Sequence, residues 1–136
     1  MQAQVIRKSA DATARAPLST GHERPLDLVH LSRQTLGDRE LEVELLGLFD
    51  KQAGQIIARL ASALSGSDRK WRHDLCHTLR GSARAIGAVK VARFAQSYED
   101  GLAAQLSDAQ LAGLIEDMKL SVEEAQAEIR SLLSDA

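Results

Sequence analysis

The sequence predicts an all-α fold: an up-down-up-down four-helix bundle with a short extra helix on its N-terminal side. Three observations carry that expectation. Ala and Leu are abundant, aromatic residues make up only 3%, and both prolines fall before residue 26, which is a helical vocabulary. Beyond residue 26 the apolar residues recur three, four or seven apart, with no strand-type alternation. Short breaks at "GD", "SGSD", "IGA" and "SDAQ" divide this periodic region into one short and four long segments.

Residues 1–25 mix Ala, Ser, Thr, Gly, Pro and scattered charge without period, and are expected to form a flexible tail ahead of a domain at 26–136. The first helix carries Leu28, Leu31 and Leu36 and stops near Gly37. The second, at about 38–65, is expected to bury Leu41, Leu45, Leu48, Phe49, Ile56, Leu60 and Leu64. Ser67 is the expected N-cap of the third helix, which runs to about Ala85 with Gly87 as its stop. A fourth follows over about 88–105. Ser107 then caps a fifth that reaches about residue 133.

A chain of 136 residues and 14.7 kDa is one domain's worth of sequence, and 44% apolar with 26% charged residues is ordinary globular composition. The net charge of −2 gives no cationic field to draw the chain to nucleic acid or acidic lipid. Cys76 is the single cysteine, so no internal disulfide forms. No apolar run reaches the ~18 residues of a membrane span, and the N-terminus has no apolar signal core. A cytoplasmic monomer, with neither membrane nor nucleic acid as partner, is expected.

The stretch "HTLRGSARAIGA", residues 77–88, sets a histidine and two arginines beside a helical glycine. At about 100° per residue from Trp71, the residues Trp71, Leu75, Thr78, Leu79, Ser82 and Ile86 fall in one narrow stripe, read as the core face. On this reading Trp71 is a core anchor and Cys76 a packed small residue. Lys70, His73, Asp74, His77, Arg80, Gly81 and Arg84 gather on the other side, with His77 near the middle. Gly81, one turn after His77, costs the helix roughly 1 kcal/mol relative to Ala and leaves clearance beside the imidazole. An exposed neutral imidazole can attack phosphorus, and nearby cations such as Arg80 and Arg84 would offset phosphoryl charge. These residues read as half of a phosphoryl-transfer site.

His77, Leu79, Arg80, Gly81, Ser82 and Ala83, followed by Ile86, Gly87 and Ala88, resemble the signature of the histidine-containing phosphotransfer (HPt) domains of two-component phosphorelays. The upstream "LGDRELEVELLGLF" is similar to that family's start of its second helix, and the resemblance spans about residues 26–105. It departs at Arg80, where the family usually has lysine, so a planar fork replaces a compact ammonium. The resemblance implies a stand-alone carrier that takes a phosphoryl group from one receiver-domain aspartate on His77 and gives it to another. It also implies that Glu99, on the next helix, accepts a hydrogen bond from Nδ1–H of His77 and leaves Nε2 as the nucleophile. The expected partners are response-regulator receiver domains and a hybrid sensor histidine kinase, met by Lys70, His73, Asp74 and Arg84. No nucleotide-binding glycine loop is present, so no ATP-dependent kinase activity is expected. No cofactor is expected either, Mg²⁺ belonging to the receiver.

Charge is distributed accordingly: Ser67 to Arg93 holds seven Lys/Arg against two Asp/Glu, and Glu99 to Ala136 holds two against nine. A basic histidine helix suits an acidic receiver site, and equally suits a bundle that balances opposite helices. Two rival functions stand beside the relay. One is a module that docks receivers without taking phosphate. The other is a metal-binding bundle using His73 and His77, four apart on one face, though no H-E-x-x-H or paired E-x-x-H supports it and His22 and His30 lie in or near the tail.

Overall fold

Five helices run in the order α1 (Leu28–Thr35), α2 (Arg39–Ser62), α3 (Arg69–Ile86), α4 (Val89–Ala103) and α5 (Asp108–Ser134). They are seen in a computed structural model that describes residues 24–62 and 68–134. Helix α3 packs on α4, α4 on α5, α5 on α2 and α2 on α3, while α1 lies across α2 and α3. Among the described residues the backbones of the diagonal pairs stay apart, so the four long helices close a ring around one core, across which Cys76 Sγ of α3 lies 3.8 Å from Met118 Sδ of α5. The bundle with one short extra helix is the fold the sequence predicts.

The local signals act largely as expected. Ser107 Oγ accepts from the backbone N–H of Gln110, and Gln110 Oε1 accepts from that of Ser107, both near 3 Å, a reciprocal cap that starts α5. Asp38 Oδ1 accepts from Leu41 N at 3.1 Å at the start of α2. At the start of α3 the cap is Asp68, whose carboxylate accepts from Lys70 N at 2.9 Å. The expected cap Ser67 lies outside the described residues, as do Leu64, His22, Pro17 and all but the last two residues of the expected tail. Of those two, Arg24 pairs with Glu128, and Leu26 just beyond them is buried in the core.

The core faces of α2 and α3 are rotated from the expected stripes. In α2 the buried positions are Leu46, Phe49, Ala53, Ile56, Ile57 and Leu60, whereas Leu41 and Leu48 are exposed at the edge. In α3 they are Arg72, Cys76, Leu79, Ala83 and Ile86; Trp71 is 39% exposed and Thr78 is exposed too. Trp71 is therefore no core anchor. A stripe centred on the largest apolar residues misses the true face by about 70° because small residues such as Cys76 and Ala83 let α3 approach its neighbours closely.

Gly87 fixes where α3 ends and where the chain before α1 docks. Its φ of +83° is left-handed, and a Cβ there would lie 2.7 Å from the carbonyl oxygen of Asp27. Asp27 N donates to Gly87 O at 2.8 Å, and Asp27 Oδ1 caps α1 through His30 N. Gly87→Ala is expected to lose about 1 to 3 kcal/mol of unfolding free energy, read by urea titration with an unchanged slope. An unaltered midpoint would contradict this packing.

Candidate functional site

The short turn at Gly87 and Ala88 folds α4 back antiparallel on α3, and this sets which side chains meet. His77 lies eleven residues before Ala88 and Glu99 eleven after; Arg80 and Gln96 each lie eight away. The hairpin places each pair side by side. His77 is exposed, 60% of its side chain reaching solvent, while Glu99 is only 8% exposed. The carboxylate beneath the imidazole is thus held by protein rather than by bulk water.

Glu99 Oε1 lies 3.4 Å from His77 Nδ1 and 3.3 Å from His73 Nε2. Its other oxygen, Oε2, lies 2.9 Å from Arg80 Nε. Arg80 also hydrogen-bonds Gln96 through Nη1, and its Nη2 lies 2.8 Å from His77 Nδ1. With only 17% of its side chain exposed, Arg80 is a packed bridge between α3 and α4 rather than a loose surface cation. His77 Nδ1 consequently faces two groups that need opposite tautomers: it donates to Glu99 or accepts from Arg80. Only the first leaves the Nε2 lone pair free.

The remaining predicted residues divide by surroundings. Lys70 and Asp74 form an exposed i,i+4 pair at 2.9 Å; that hydrogen bond holds the Lys70 ammonium above its ordinary pKa and the Asp74 carboxyl below its own. His73 stacks on His77 with ring centroids 5.8 Å apart and lies 3.5 Å from Asp74 Oδ1 through Nδ1. Arg84 is exposed one turn beyond Arg80, lining a cleft with Gln96. Gly81 is exposed, and a Cβ there would meet nothing within 4 Å. Its lack of a side chain is thus not required by this chain's own packing.

Sequence reasoning missed Gln96, although counting equal distances out from the Gly87–Ala88 turn would have found it. Cys76 is packed as expected: its Sγ–H donates to Ala95 O at 3.1 Å, and burial, aided by the Glu99 carboxylate, pushes its pKa up to about 12. Such a thiol is no nucleophile near neutral pH. No described helix is long and apolar enough to cross a membrane.

Comparison with known proteins identifies the family and the fold. The sequence model of the Hpt domain family matches residues 44–135, which takes in the last helix and leaves out the Gly37–Asp38 turn. No curated protein matches the chain. Among solved structures, a rice protein described as a histidine-containing phosphotransfer protein superposes with a TM-score of 0.73 at 19% identity, over 81% of this chain and 82% of that one. The HPt domain of a sensor hybrid histidine kinase from Shewanella gives 0.71 at 19% identity, over 82% and 96%. At that identity the two structures speak for the fold, and the family match for the rest. This chain belongs to the Hpt domain family, the phosphotransfer domains that carry a phosphoryl group in a phosphorelay and are not themselves kinases.

Proposed function

We propose that His77 is the phosphoacceptor of this domain, with Glu99, Arg80 and Gly81 as the residues that make it one. The supporting observation is the contrast across the ring: a 60% exposed imidazole whose Nδ1 lies 3.4 Å from an oxygen of an 8% exposed carboxylate. With Nδ1–H donating to Glu99, the Nε2 lone pair attacks the phosphorus of a receiver's aspartyl phosphate. The N–P bond forms as the acyl phosphate P–O bond breaks, and the aspartate carboxylate leaves with the electron pair. The ring then carries positive charge that the buried Glu99 carboxylate offsets, without cost in reorganising water. The reverse step returns the group to a second receiver aspartate.

Arg80 acts in this reading by holding Glu99 and by adding a cation near the phosphoryl oxygens, its Nη2 turning from Nδ1 when that nitrogen carries the proton. Arg80→Ala is expected to slow transfer by about tenfold to a hundredfold without stopping it. Stability also falls, because a buried carboxylate loses its partner. Quenched-flow transfer rates beside circular dichroism check this, and an unchanged rate in a folded variant would remove Arg80 from the site.

Receiver domains and a hybrid sensor kinase are the proposed partners, docking over Gly81 and meeting Lys70, His73, Asp74 and Arg84. This reading puts the chain in the cytoplasm as a monomer, with 26–136 as the phosphotransfer domain and 1–25 as a tail. The test is to incubate the full chain with phosphorylated receivers and map the product by intact and peptide mass. One acid-labile, base-stable phosphate on the peptide holding His77 is expected. A chain that binds receivers yet takes no phosphate would instead be the docking module.

A further inference from the structure

His73, His77 and Glu99 bring one ligand atom each within 4.8 Å of one another, from two helices that pack against each other. Two of the three separations have the lengths a metal would need. With Zn–N and Zn–O bonds near 2.0–2.1 Å, the edges of a tetrahedral site are about 3.3–3.4 Å. Glu99 Oε1 lies 3.3 Å from His73 Nε2 and 3.4 Å from His77 Nδ1. The i,i+4 spacing puts both imidazoles on one face, and the exposed side of His77 leaves a fourth position open to solvent.

The groups behind these atoms also suit a metal. His73 Nδ1, on the far side of its ring from the candidate ligand atom, lies 3.5 Å from Asp74 Oδ1, the carboxylate–histidine arrangement that fixes a ligating imidazole's tautomer. Arg80 Nε lies 2.9 Å from Glu99 Oε2, which orients the carboxylate with Oε1 toward the histidines. Only the Arg80 Nη2 approach to His77 Nδ1 has to be given up.

We infer that His73 Nε2, His77 Nδ1 and Glu99 Oε1 form a Zn²⁺ site that switches the phosphoacceptor off. The inference rests on His77 being that acceptor. Metal on Nδ1 leaves a neutral imidazole with its proton on Nε2, so the lone pair that attacks phosphorus is gone. Conversely, once Nε2 carries a phosphoryl group, the ion reaches Nδ1 only by displacing the proton that Glu99 stabilises there. Metal on Nδ1 therefore blocks phosphorylation while occupying the other nitrogen of the ring.

The test titrates chelator-treated full chain with Zn²⁺ against a chromophoric indicator, with no receiver present. One ion per chain, with Kd below about 10 µM, is expected, weakened about tenfold or more in His73→Ala and in Glu99→Gln and unchanged in His30→Ala. Absent stoichiometric binding, or equal affinity in all four proteins with circular dichroism unaltered, would overturn the site. Phosphate uptake is then followed with and without Zn²⁺, each protein's rate being referred to its own metal-free value. Wild type is expected to stop and His73→Ala to be indifferent; a wild type that binds Zn²⁺ and transfers undiminished would overturn the switch. A chain that takes no phosphate even without metal would refute His77 as acceptor, while the indicator titration would still decide the site.

Discussion

His77→Gln is expected to remain a folded bundle and to take up no phosphate from any phosphorylated receiver. The side chain is largely exposed and contributes nothing to the core, so its removal leaves the packing of Cys76, Leu79 and Ala83 untouched. Glutamine keeps a polar group near Glu99 and supplies no nucleophilic nitrogen, since an amide's lone pair is delocalised into its carbonyl. Intact mass after incubation with phosphorylated receiver, beside the circular dichroism spectrum and urea midpoint, separates chemistry from folding. A residual phosphate on the variant would mean that another residue accepts it.

Gly81→Phe is expected to have the next largest effect, through the partner. A Cβ at Gly81 meets nothing within 4 Å in this chain, so a larger side chain stands in open solvent beside the imidazole. Within the isolated bundle the change should be slightly stabilising, by about 0.5 kcal/mol, because glycine is the poorer helix former. A phenyl ring one turn from His77 occupies the space through which a receiver must bring its aspartate, and receiver affinity should fall by at least about tenfold. Gly81→Ala serves as the graded control, more stable by about 1 kcal/mol with a smaller loss of binding. Retained receiver binding by Gly81→Phe would show that the glycine serves something other than clearance.

The parts of the site that were legible in the sequence are those fixed by local geometry. His77, Arg80, Gly81 and Arg84 share a helical side because spacing alone determines angle around a helix. Gly87 read as a stop, and Ser107 as a cap, because those signals act over three or four residues. Glu99 came from the family resemblance, and in the structure its Oε1 lies 3.4 Å from His77 Nδ1. By contrast, the sequence pointed to Trp71, Leu41 and Leu48 as core, and all three are exposed. Helical period fixes relative angles but leaves the absolute direction of the core to the neighbouring helices. In α3 those neighbours close over the small side chains Cys76 and Ala83 rather than over the largest one.

Arg80 illustrates the division most clearly. Its charge and its position one turn from the histidine are properties of the sequence, and they suggested a cation waiting for phosphate. That it bridges to Glu99 and Gln96 and competes for His77 Nδ1 depends on the register of α4 against α3. The amino-acid sequence by itself determined an all-α bundle, its breaks and caps, and an exposed histidine beside a small residue, because each follows from interactions within one or two turns. Only the tertiary structure decided which face each helix buries, that a carboxylate lies beside that imidazole, and that an amide holds Arg80 next to it, because those contacts join residues 22 and 16 apart through a turn whose closure the whole core enforces.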